Sequence, residues 1–308
     1  MDNVREIIKK ININAEFRFN EPMWKHTSFQ IGGPAEIFCI PRNRNDLLQI
    51  LHMSKELSLP VFPLGEGANI LVSDKGIRGI VLDMSLLNSI GFEDTLLKAG
   101  AGLAISTAAA LSAFRGLSGI DNFYSMPGSV GGAIWMNARC YDVSVSDSLE
   151  YVDVITLEPS EMDLLPRRVY PAKNEFAYKR SPFQSFGCLI IEGGFRLTRE
   201  PAAIITERIR GYRYDRESKG HFSAPCAGSV FKNNRDFGAP TGKILDDLGF
   251  RGFVLGRAKV SDLHANIIVN TGSASAREIL SLIEFIEEKV AQELGYKLER
   301  EILMVGEW

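Results

Sequence analysis

Apolar and polar residues alternate along the chain with two recurring periods, one typical of strands and one typical of helices. Strand-like patterns occur at 35–43, 60–65, 76–84, 96–105, 149–158, 188–198 and 297–305. Helix-like patterns occur at 44–59, 106–116, 129–138, 202–220 and 275–295, and a short amphipathic helix is expected near the N-terminus. The last long helix begins with Ser275 and Glu278 in the spacing of a capping box. The pattern predicts a mixed α+β chain that starts with a strand–helix–strand unit.

The composition is that of an ordinary globular protein. Its main use is to exclude classes of protein, namely those that bind nucleic acid or membranes. The 308 residues are 45% apolar and 24% charged, and this length favours two or three domains. A net charge of −3 provides no electrostatic footprint for nucleic acid or for an anionic membrane surface. No stretch is apolar enough to span a bilayer, and the N-terminal residues lack the pattern of a secretory signal.

The cysteines and histidines indicate neither a metal site nor a disulfide framework. Cys39, Cys140, Cys188 and Cys226 form no CxxC pair, and the four histidines are widely spread. Free cysteines are typical of a reducing compartment, so we expect a cytoplasmic protein that holds no metal. The sequence leaves the oligomeric state open, and a monomer is compatible with it.

Two glycine-rich loops are candidates for binding an anion. Gly65 and Gly67 follow an apolar strand, and glycine lets backbone N–H groups approach a phosphate closely. Gly128 and Gly131 lie in a second turn that opens a helix, where free N–H groups would favour an anion. A generic loop and close helix–sheet packing are the alternatives. Together the two loops favour one extended diphosphate ligand.

Two adjacent cations follow a phenol in the stretch FAYKRSPF at 176–183. Lys179 and Arg180, with Tyr178 beside them, could clamp a carboxylate or a phosphate. The alternative is a solvated strand edge, since charged residues are mostly exposed.

Three further stretches carry groups that could act on a ligand. Ser229 stands between Gly228 and an apolar pair, which is compatible with a turn or with a presented hydroxyl. On the expected final strand, Glu301 shares one face with Glu299. His264 and Asn266 share a face if their segment is extended, and a purely structural role is equally compatible with this pattern.

Taken in this order, the stretches resemble the UDP-N-acetylenolpyruvoylglucosamine reductases. The matching stretches are HTSFQIGGPAE, PLGEGANILVSDKGIRG, AGAGLAI, GLSGID, MPGSVGGAIWMNA, FAYKRSPF, AGSVFKN, VSDLHANIIVN and LEREI. They cover residues from about 26 to 306, nearly the whole chain. The compact region between 142 and 200 is similar to the family's shorter type II form, which lacks an insertion.

The resemblance implies an α+β fold with a two-part FAD-binding region of the vanillyl-alcohol-oxidase (PCMH) type and a smaller substrate-binding domain. Residues 1–83, joined by the C-terminal strand 297–308, would form the first FAD-binding part, and 84–204 the second. Residues 205–296 would form the α+β substrate-binding domain.

The resemblance also implies a reaction in peptidoglycan precursor synthesis, with FAD as cofactor and NADPH as co-substrate. NADPH would reduce FAD, and hydride would pass from flavin N5 to the terminal enol-ether carbon of UDP-N-acetylglucosamine enolpyruvate. A proton on the neighbouring carbon would complete UDP-N-acetylmuramate. The partners expected are therefore this UDP-sugar and NADPH, with no nucleic acid and no membrane.

Site residues follow from the same resemblance, position by position. Ser229 matches the family's proton donor, and Glu301 matches its C-terminal catalytic glutamate. The residues expected to line FAD are Gly65, Glu66, Gly67, Ala68, Asn69, Ile70, Pro127, Gly128, Ser129, Gly131, Gly132 and Asn137. The residues expected to bind substrate are Tyr178, Lys232, Asn233, His264 and Asn266.

Several positions depart from the family's pattern. Lys179 stands where the family has a catalytic arginine, and Arg180 is displaced by one residue, so both are catalytic candidates. Arg139 and Asp142 replace glycines, and Cys226 replaces a common serine. Two alternatives stay open: an FAD-dependent oxidase of another substrate, and a nucleotide-sugar binding protein without turnover.

Overall fold

The computed structural model describes residues 6–8, 13–157 and 164–308. Its helices are α1 (Arg44–Glu56), α2 (Ile105–Phe114), α3 (Val130–Met136), α4 (Val145–Ser148), α5 (Ala202–Ser218), α6 (Thr241–Asp247) and α7 (Ala276–Leu294). Its strands are β1 (Glu16–Pro22), β2 (Pro34–Ile40), β3 (Val61–Leu64), β4 (Ile70–Val72), β5 (Ile77–Asp83), β6 (Ile90–Glu93), β7 (Leu96–Gly100), β8 (Leu117–Ser118), β9 (Arg139–Cys140), β10 (Val143–Ser144), β11 (Leu149–Thr156), β12 (Arg167–Val169), β13 (Cys188–Arg196), β14 (Thr198–Arg199), β15 (Cys226–Ser229), β16 (Val254–Leu255), β17 (Ala258–Val260), β18 (Ile267–Asn270) and β19 (Leu303–Val305).

The chain divides into two compact units, each built from three separate segments. The first unit comprises Met1–Phe19, Glu36–Gly65 and Gly79–Arg210. The second unit comprises Asn20–Ala35, Glu66–Arg78 and Gly211–Trp308. The expected division into three domains stays a prediction.

A five-stranded antiparallel sheet of order β12-β11-β13-β7-β6 lies at the centre of the first unit. Two glycines on β13 allow large groups to pack against it. An added Cβ at Gly193 would lie 2.5 Å from Ile134 on α3, and one at Gly194 would lie 2.1 Å from the ring of Tyr151. The short helix α3 is therefore seated closely on this sheet, and its position is set by packing.

A four-stranded antiparallel sheet of order β15-β18-β17-β16 is the framework of the second unit, and α7 packs on it. The predicted capping box is confirmed: the Ser275 hydroxyl accepts from the Glu278 N–H at 3.2 Å, and the Glu278 carboxylate accepts from the Ser275 N–H at 2.9 Å. Asp74 adds a second acceptor for the same helix end, because it accepts from the N–H groups of Ala276 and Arg277.

Two sequence predictions of local structure need correction or lie partly outside the described residues, and the extended segment under which His264 and Asn266 would share a face is not formed. The strand expected at 297–305 is formed only at Leu303–Val305, which pairs in parallel with β4. The segment before Ile267 is a turn, closed where His264 Nδ1 accepts from the Asn266 N–H at 3.2 Å. Of the expected N-terminal helix, residues 6–8 are helical, and its neighbours at 1–5 and 9–12 lie outside the described residues.

Across the described ranges, none of the helices combines the length and apolarity that crossing a membrane requires.

Candidate functional site

The two glycine-rich loops meet at Gly65. A Cβ added to Gly65 would lie only 2.2 Å from the Ser129 hydroxyl oxygen and 3.0 Å from the Ser129 Cβ. Ser129 is buried and caps α3, since its hydroxyl accepts from the Gly132 N–H at 3.2 Å. The structure thus brings together two loops that lie more than sixty residues apart in the sequence.

We expect Gly65→Ala to weaken FAD binding about tenfold and to lower the free energy of unfolding by about 1–2 kcal/mol. The new methyl group must displace the Ser129 hydroxyl, which breaks the cap of α3. FAD titration and urea unfolding measure the two effects. Gly91→Ala is the matched control, because an added Cβ at Gly91 has nothing within 4 Å. Equal effects of both substitutions would contradict the role of the Gly65–Ser129 contact.

The N–H groups at the start of α3 are not available to an anion, contrary to the expectation from the sequence. The Val130 N–H donates to Leu103 O at 2.8 Å, and the Gly131 N–H donates to Ala101 O at 2.9 Å. The third group, at Gly132, is taken by Ser129. A phosphate at this loop would therefore lie before the helix. Gly128, with φ of +127° and open space where a Cβ would lie, fits such a close approach.

The remaining residues of the first loop lie in the second unit, where they contact the residues around 26–28. Gly67 has φ of +60°, and its added Cβ would lie 2.3 Å from His26 O. The Ser28 N–H donates to Gly67 O at 3.1 Å, and the Ser28 hydroxyl donates to Cys226 O at 2.7 Å. Ser28 thus links the glycine loop to β15, and no local pattern in the sequence marks it for this role.

Asn69 ties the same loop to the C-terminal segment. Its side-chain amide donates to Glu301 O at 3.1 Å, while its own carbonyl accepts from the Leu303 N–H at 3.0 Å. Ile70 begins β4 and is buried, whereas Glu66 is exposed. Direct contacts of these residues, and of Ala68 and Pro127, with FAD stay predictions.

Ser229 is presented by a β-bulge. Cys226 pairs with Val269, but Ser229 pairs with Ile267, so β15 carries one extra residue. Gly228 supplies the bulge with φ of +73°, and open space surrounds the position of its absent Cβ. A bulge of this kind redirects the side chain that follows, which favours a presented hydroxyl over a plain turn at half-buried Ser229.

The segment that contains Glu301 runs beside the residues that follow Ser229. The Glu301 N–H donates to Val230 O at 2.7 Å, and the Lys232 N–H donates to Glu299 O at 2.8 Å. The Lys232 ammonium also forms an ion pair with the Glu299 carboxylate. The two catalytic candidates Ser229 and Glu301 are therefore neighbours in the second unit, although 72 residues separate them in the sequence.

Two predicted substrate residues have observed contacts that hold the backbone after Ser229. The Asn266 side chain accepts from the Phe231 N–H at 3.0 Å and donates to Phe231 O at 2.8 Å. The Asn233 side-chain oxygen accepts from the Thr241 N–H at 2.9 Å. Their contact with substrate stays a prediction, whereas their positioning contacts are observed.

A cavity of about 290 Å³ in the second unit collects four of the predicted residues. Its polar and charged lining consists of Ser229, Asn233, Lys243, Asp246, Arg251, His264 and Asn266. Sequence reasoning missed Lys243 and Arg251, because each lies in an ordinary helical or turn segment and pairs locally with Asp247 and Asp246. The predicted Ser229, Asn233, His264 and Asn266 do line one concave site.

Two histidines of the second unit have lowered pKa values. Burial, followed by the charge of Arg216, lowers the pKa of His221 to about 4, and its ring centroid lies 6.1 Å from that of His264. Burial also lowers the pKa of His264, with the charge of Lys219 contributing. Both histidines are therefore neutral at pH 7.

The lowered His221 pKa predicts a loss of stability in mild acid. The unfolded chain binds a proton at its usual pKa of 6.5, whereas the folded protein binds it only near pH 4. The stabilising contribution is thus complete above pH 6.5 and is lost as pH falls towards 4, by about 2 kcal/mol after allowance for partial exposure. Urea unfolding between pH 7 and 4.5 should show a flatter pH dependence for His221→Gln. The exposed His52→Gln is the control, and parallel curves for His221→Gln and wild type would contradict the assignment.

The two candidate cations lie in a tight turn of the first unit, which corrects the expected strand edge. Ala177 and Arg180 exchange two backbone hydrogen bonds of 3.0 Å, and Lys179 between them has φ of +56°. The rule that consecutive residues take opposite faces applies to a strand and not to this turn. Lys179 is half-buried, with its ammonium 5.9 Å from the centroid of the Tyr178 ring, whereas Arg180 is exposed.

The departures from the family's glycines form a short hairpin of β9 and β10. Tyr141 and Asp142 both have positive φ, +47° and +64°, a geometry in which glycine is favoured. Arg139 forms an ion pair with Asp142 at 3.0 Å across this turn. Cys226 is buried, and burial raises the pKa of its thiol, so the thiol stays protonated.

Two separate parts of the chain match the profiles of known domain families. Residues 35–160 match the profile of an FAD binding domain. Residues 220–305 match the profile of the UDP-N-acetylenolpyruvoylglucosamine reductase C-terminal domain.

Curated relatives match over the full chain. A UDP-N-acetylenolpyruvoylglucosamine reductase of Treponema denticola is 36% identical over 327 aligned residues, which cover 100% of both chains. One from Caldanaerobacter subterraneus is 35% identical, covering 100% of this chain and 98% of the relative.

Among solved structures, UDP-N-acetylenolpyruvylglucosamine reductase from Thermus caldophilus has a TM-score of 0.76 at 27% identity, covering 95% of this chain and 99% of that one. A solvent-stable cholesterol oxidase, at 12% identity and a TM-score of 0.50 over 61% of this chain and 39% of its own, shares the fold alone. The matches confirm the predicted fold class: an α+β chain with a two-part FAD-binding region of the vanillyl-alcohol-oxidase type and a smaller α+β domain.

Proposed function

The chain belongs to the UDP-N-acetylenolpyruvoylglucosamine reductase family, FAD-binding oxidoreductases of peptidoglycan precursor synthesis, and we propose that it reduces UDP-N-acetylglucosamine enolpyruvate to UDP-N-acetylmuramate with NADPH. The observation that carries the proposal is Ser229, presented by a glycine bulge at a cavity and beside the Glu301 segment. We place the activity in the cytoplasm and divide the chain into the three domains expected from the sequence.

The glycine loops fit an extended diphosphate cofactor. The position beside Gly128 is open, so the second loop allows a ligand to approach the backbone, and the contact between Gly65 and Ser129 holds the two loops together. Residues 65–70 and 127–132 would hold FAD. Bound there, FAD would supply the hydride that the reduction of the enolpyruvyl group needs, with NADPH as its source.

Ser229 completes the reduction by donating its hydroxyl proton. Hydride addition moves the double-bond electrons onto the neighbouring carbon and its carboxylate, where negative charge must be stabilised by preorganised donors. The Ser229 Oγ–H gives a proton to that carbon, and the oxygen then recovers a proton from solvent. A serine hydroxyl is a weak acid, so a nearby cation or a water relay must support it. Lys232, three residues on, would give this support or bind a substrate phosphate, and in the structure its ammonium pairs with the Glu299 carboxylate.

Glu301 and the cation turn would each act on the charge that develops on the substrate. Glu301 would contact the enolate oxygen through its carboxyl group. Lys179 would offset the charge of the substrate carboxylate as a point charge, with Arg180 as the alternative cation.

The cavity of the second unit would receive the UDP part of the substrate. Its lysine and arginine, Lys243 and Arg251, are cations of the kind that bind phosphates, and Asn233 and His264 add polar groups. The substrate's enolpyruvyl end would then lie at Ser229, which lines the same cavity.

The test is the absorbance spectrum of the purified protein, followed by NADPH oxidation with and without the UDP-enolpyruvyl sugar. We expect a flavin spectrum and NADPH oxidation that depends on the sugar. A colourless protein that cannot be reconstituted with FAD would overturn the proposal. NADPH oxidation that ignores the sugar would instead favour an oxidase, and sugar binding without turnover would favour a binding protein.

A further inference from the structure

The tight turn that carries Lys179 is anchored to the C-terminal end of α3 by three side chains. Asn137 Nδ2 donates to Ala177 O at 2.9 Å. The Ser181 hydroxyl donates to Trp135 O at 2.6 Å, and Gln184 Nε2 donates to the same carbonyl at 3.0 Å. One carbonyl near the end of this helix, Trp135 O, is therefore used to hold the turn.

The backbone of Lys179 requires such support. A φ of +56° is unfavourable for a lysine by about 1–2 kcal/mol, and conformations of this kind persist only where their surroundings enforce them. The paired Ala177 and Arg180 close the turn, and Gln184 Nε2 lies 3.2 Å from Lys179 O. Asn137 holds the other side of the turn through its hydrogen bond to Ala177 O.

Asn137 uses both ends of its amide within the protein. Its Oδ1 accepts from the Ser146 N–H at 3.1 Å, and its Nδ2 donates to Ala177 O. The residue is 3% exposed and has φ of +45° as the C-cap of α3. A side chain with these contacts is oriented by the fold and points its donor at the turn.

The other end of α3 carries Ser129, which touches Gly65 of the first glycine loop. The helix spans seven residues, roughly 10 Å, and Ile134 fixes it on Gly193 of the sheet. One rigid element thus connects the loop expected at the cofactor with the turn that carries the cation.

We propose that Asn137 is a positioning residue for Lys179 rather than a ligand of FAD. The inference rests on the proposed function, because Lys179 acts there on the substrate carboxylate. Asn137 would influence the transfer to the sugar, and leave FAD affinity and flavin reduction by NADPH unchanged.

A double-mutant cycle tests the proposal. Asn137→Gly keeps a residue suited to positive φ but removes the amide, and we expect kcat to fall about tenfold with FAD affinity within twofold of wild type. In the Lys179→Ala background the same substitution should change kcat less than twofold, because the lysine side chain through which Asn137 acts is absent. Additive losses, or a weakened FAD complex in both backgrounds, would overturn the proposal.

Two further variants keep the result interpretable. Asn122→Ala removes a buried amide that donates to Cys140 O at 2.9 Å, away from the cation turn, and should leave kcat unchanged. If Asn137→Gly does not fold, Gln184→Ala takes its place in the cycle, because Gln184 is exposed. This substitution should lower kcat only where Lys179 is present. An equal loss of kcat in the Lys179→Ala background would overturn the proposal. A wild-type protein without turnover of the sugar would overturn the proposed function and this inference with it, whereas additive losses in an active enzyme overturn the inference alone.

Discussion

Ser229→Ala is expected to slow transfer from the reduced protein to the UDP-enolpyruvyl sugar by about 10²–10⁴-fold, while NADPH still reduces the flavin at the wild-type rate. Alanine keeps the bulge that Gly228 makes, so the backbone is unchanged and only the proton donor is lost. Stopped-flow absorbance measures each half-reaction separately.

The control for this prediction is Ser223→Ala, which removes another serine hydroxyl of the second unit, one that donates locally to Gly220 O at 2.8 Å. Both half-reactions should be normal in that variant. Equal losses in the two halves for Ser229→Ala would show that Ser229 supports the fold or the cofactor and not the proton transfer.

Lys179→Ala is expected to lower kcat by about 10²–10³-fold, the effect of removing one preorganised group that stabilises developing charge. Arg180→Ala should cost less than about threefold, in line with the small worth of an exposed charge. The structural reason is that half-buried Lys179 is held at the centre of the turn, whereas Arg180 is exposed at its end.

Steady-state kinetics of the two alanine variants and of Lys179→Arg show which of the two residues is the catalytic cation. Lys179→Arg should retain most activity if the position needs only a cation. The reverse order, with Arg180→Ala more damaging, would assign the catalytic role to the displaced arginine.

Much of the element order could be predicted from periodicity, and the failures have a common cause. The helix α7 was predicted correctly because its cap at Ser275 and its apolar stripe are both local features. The final strand was predicted too long. The N–H groups of Glu301 and Ile302 both donate to Val230 O, so this part of the segment does not form the regular hydrogen bonds of a strand. Where backbone groups find partners far along the chain, periodicity carries no signal.

For the site, the sequence predicted the residue types but not the contacts that folding gives them. The motif around Ser229 is visible in the sequence, but the bulge that redirects its side chain depends on pairing with β18. The start of α3 suggested free N–H groups, and the carbonyls of Leu103 and Ala101 occupy two of them. Ser28 was missed because its partner, Cys226 O, lies 198 residues away.

By itself the sequence determined the family, the FAD-binding character of the chain and the identities of the candidate groups, because these depend on residue types in a set order. Only the tertiary structure decided which of those groups are already engaged: Asn137 on the cation turn, Asn266 on Phe231, and the N–H groups of α3 on neighbouring carbonyls. The physical reason is that a donor or acceptor group already hydrogen-bonded within the protein is less available to a ligand. A residue's chemistry is local, but its availability depends on partners that folding brings from distant parts of the chain.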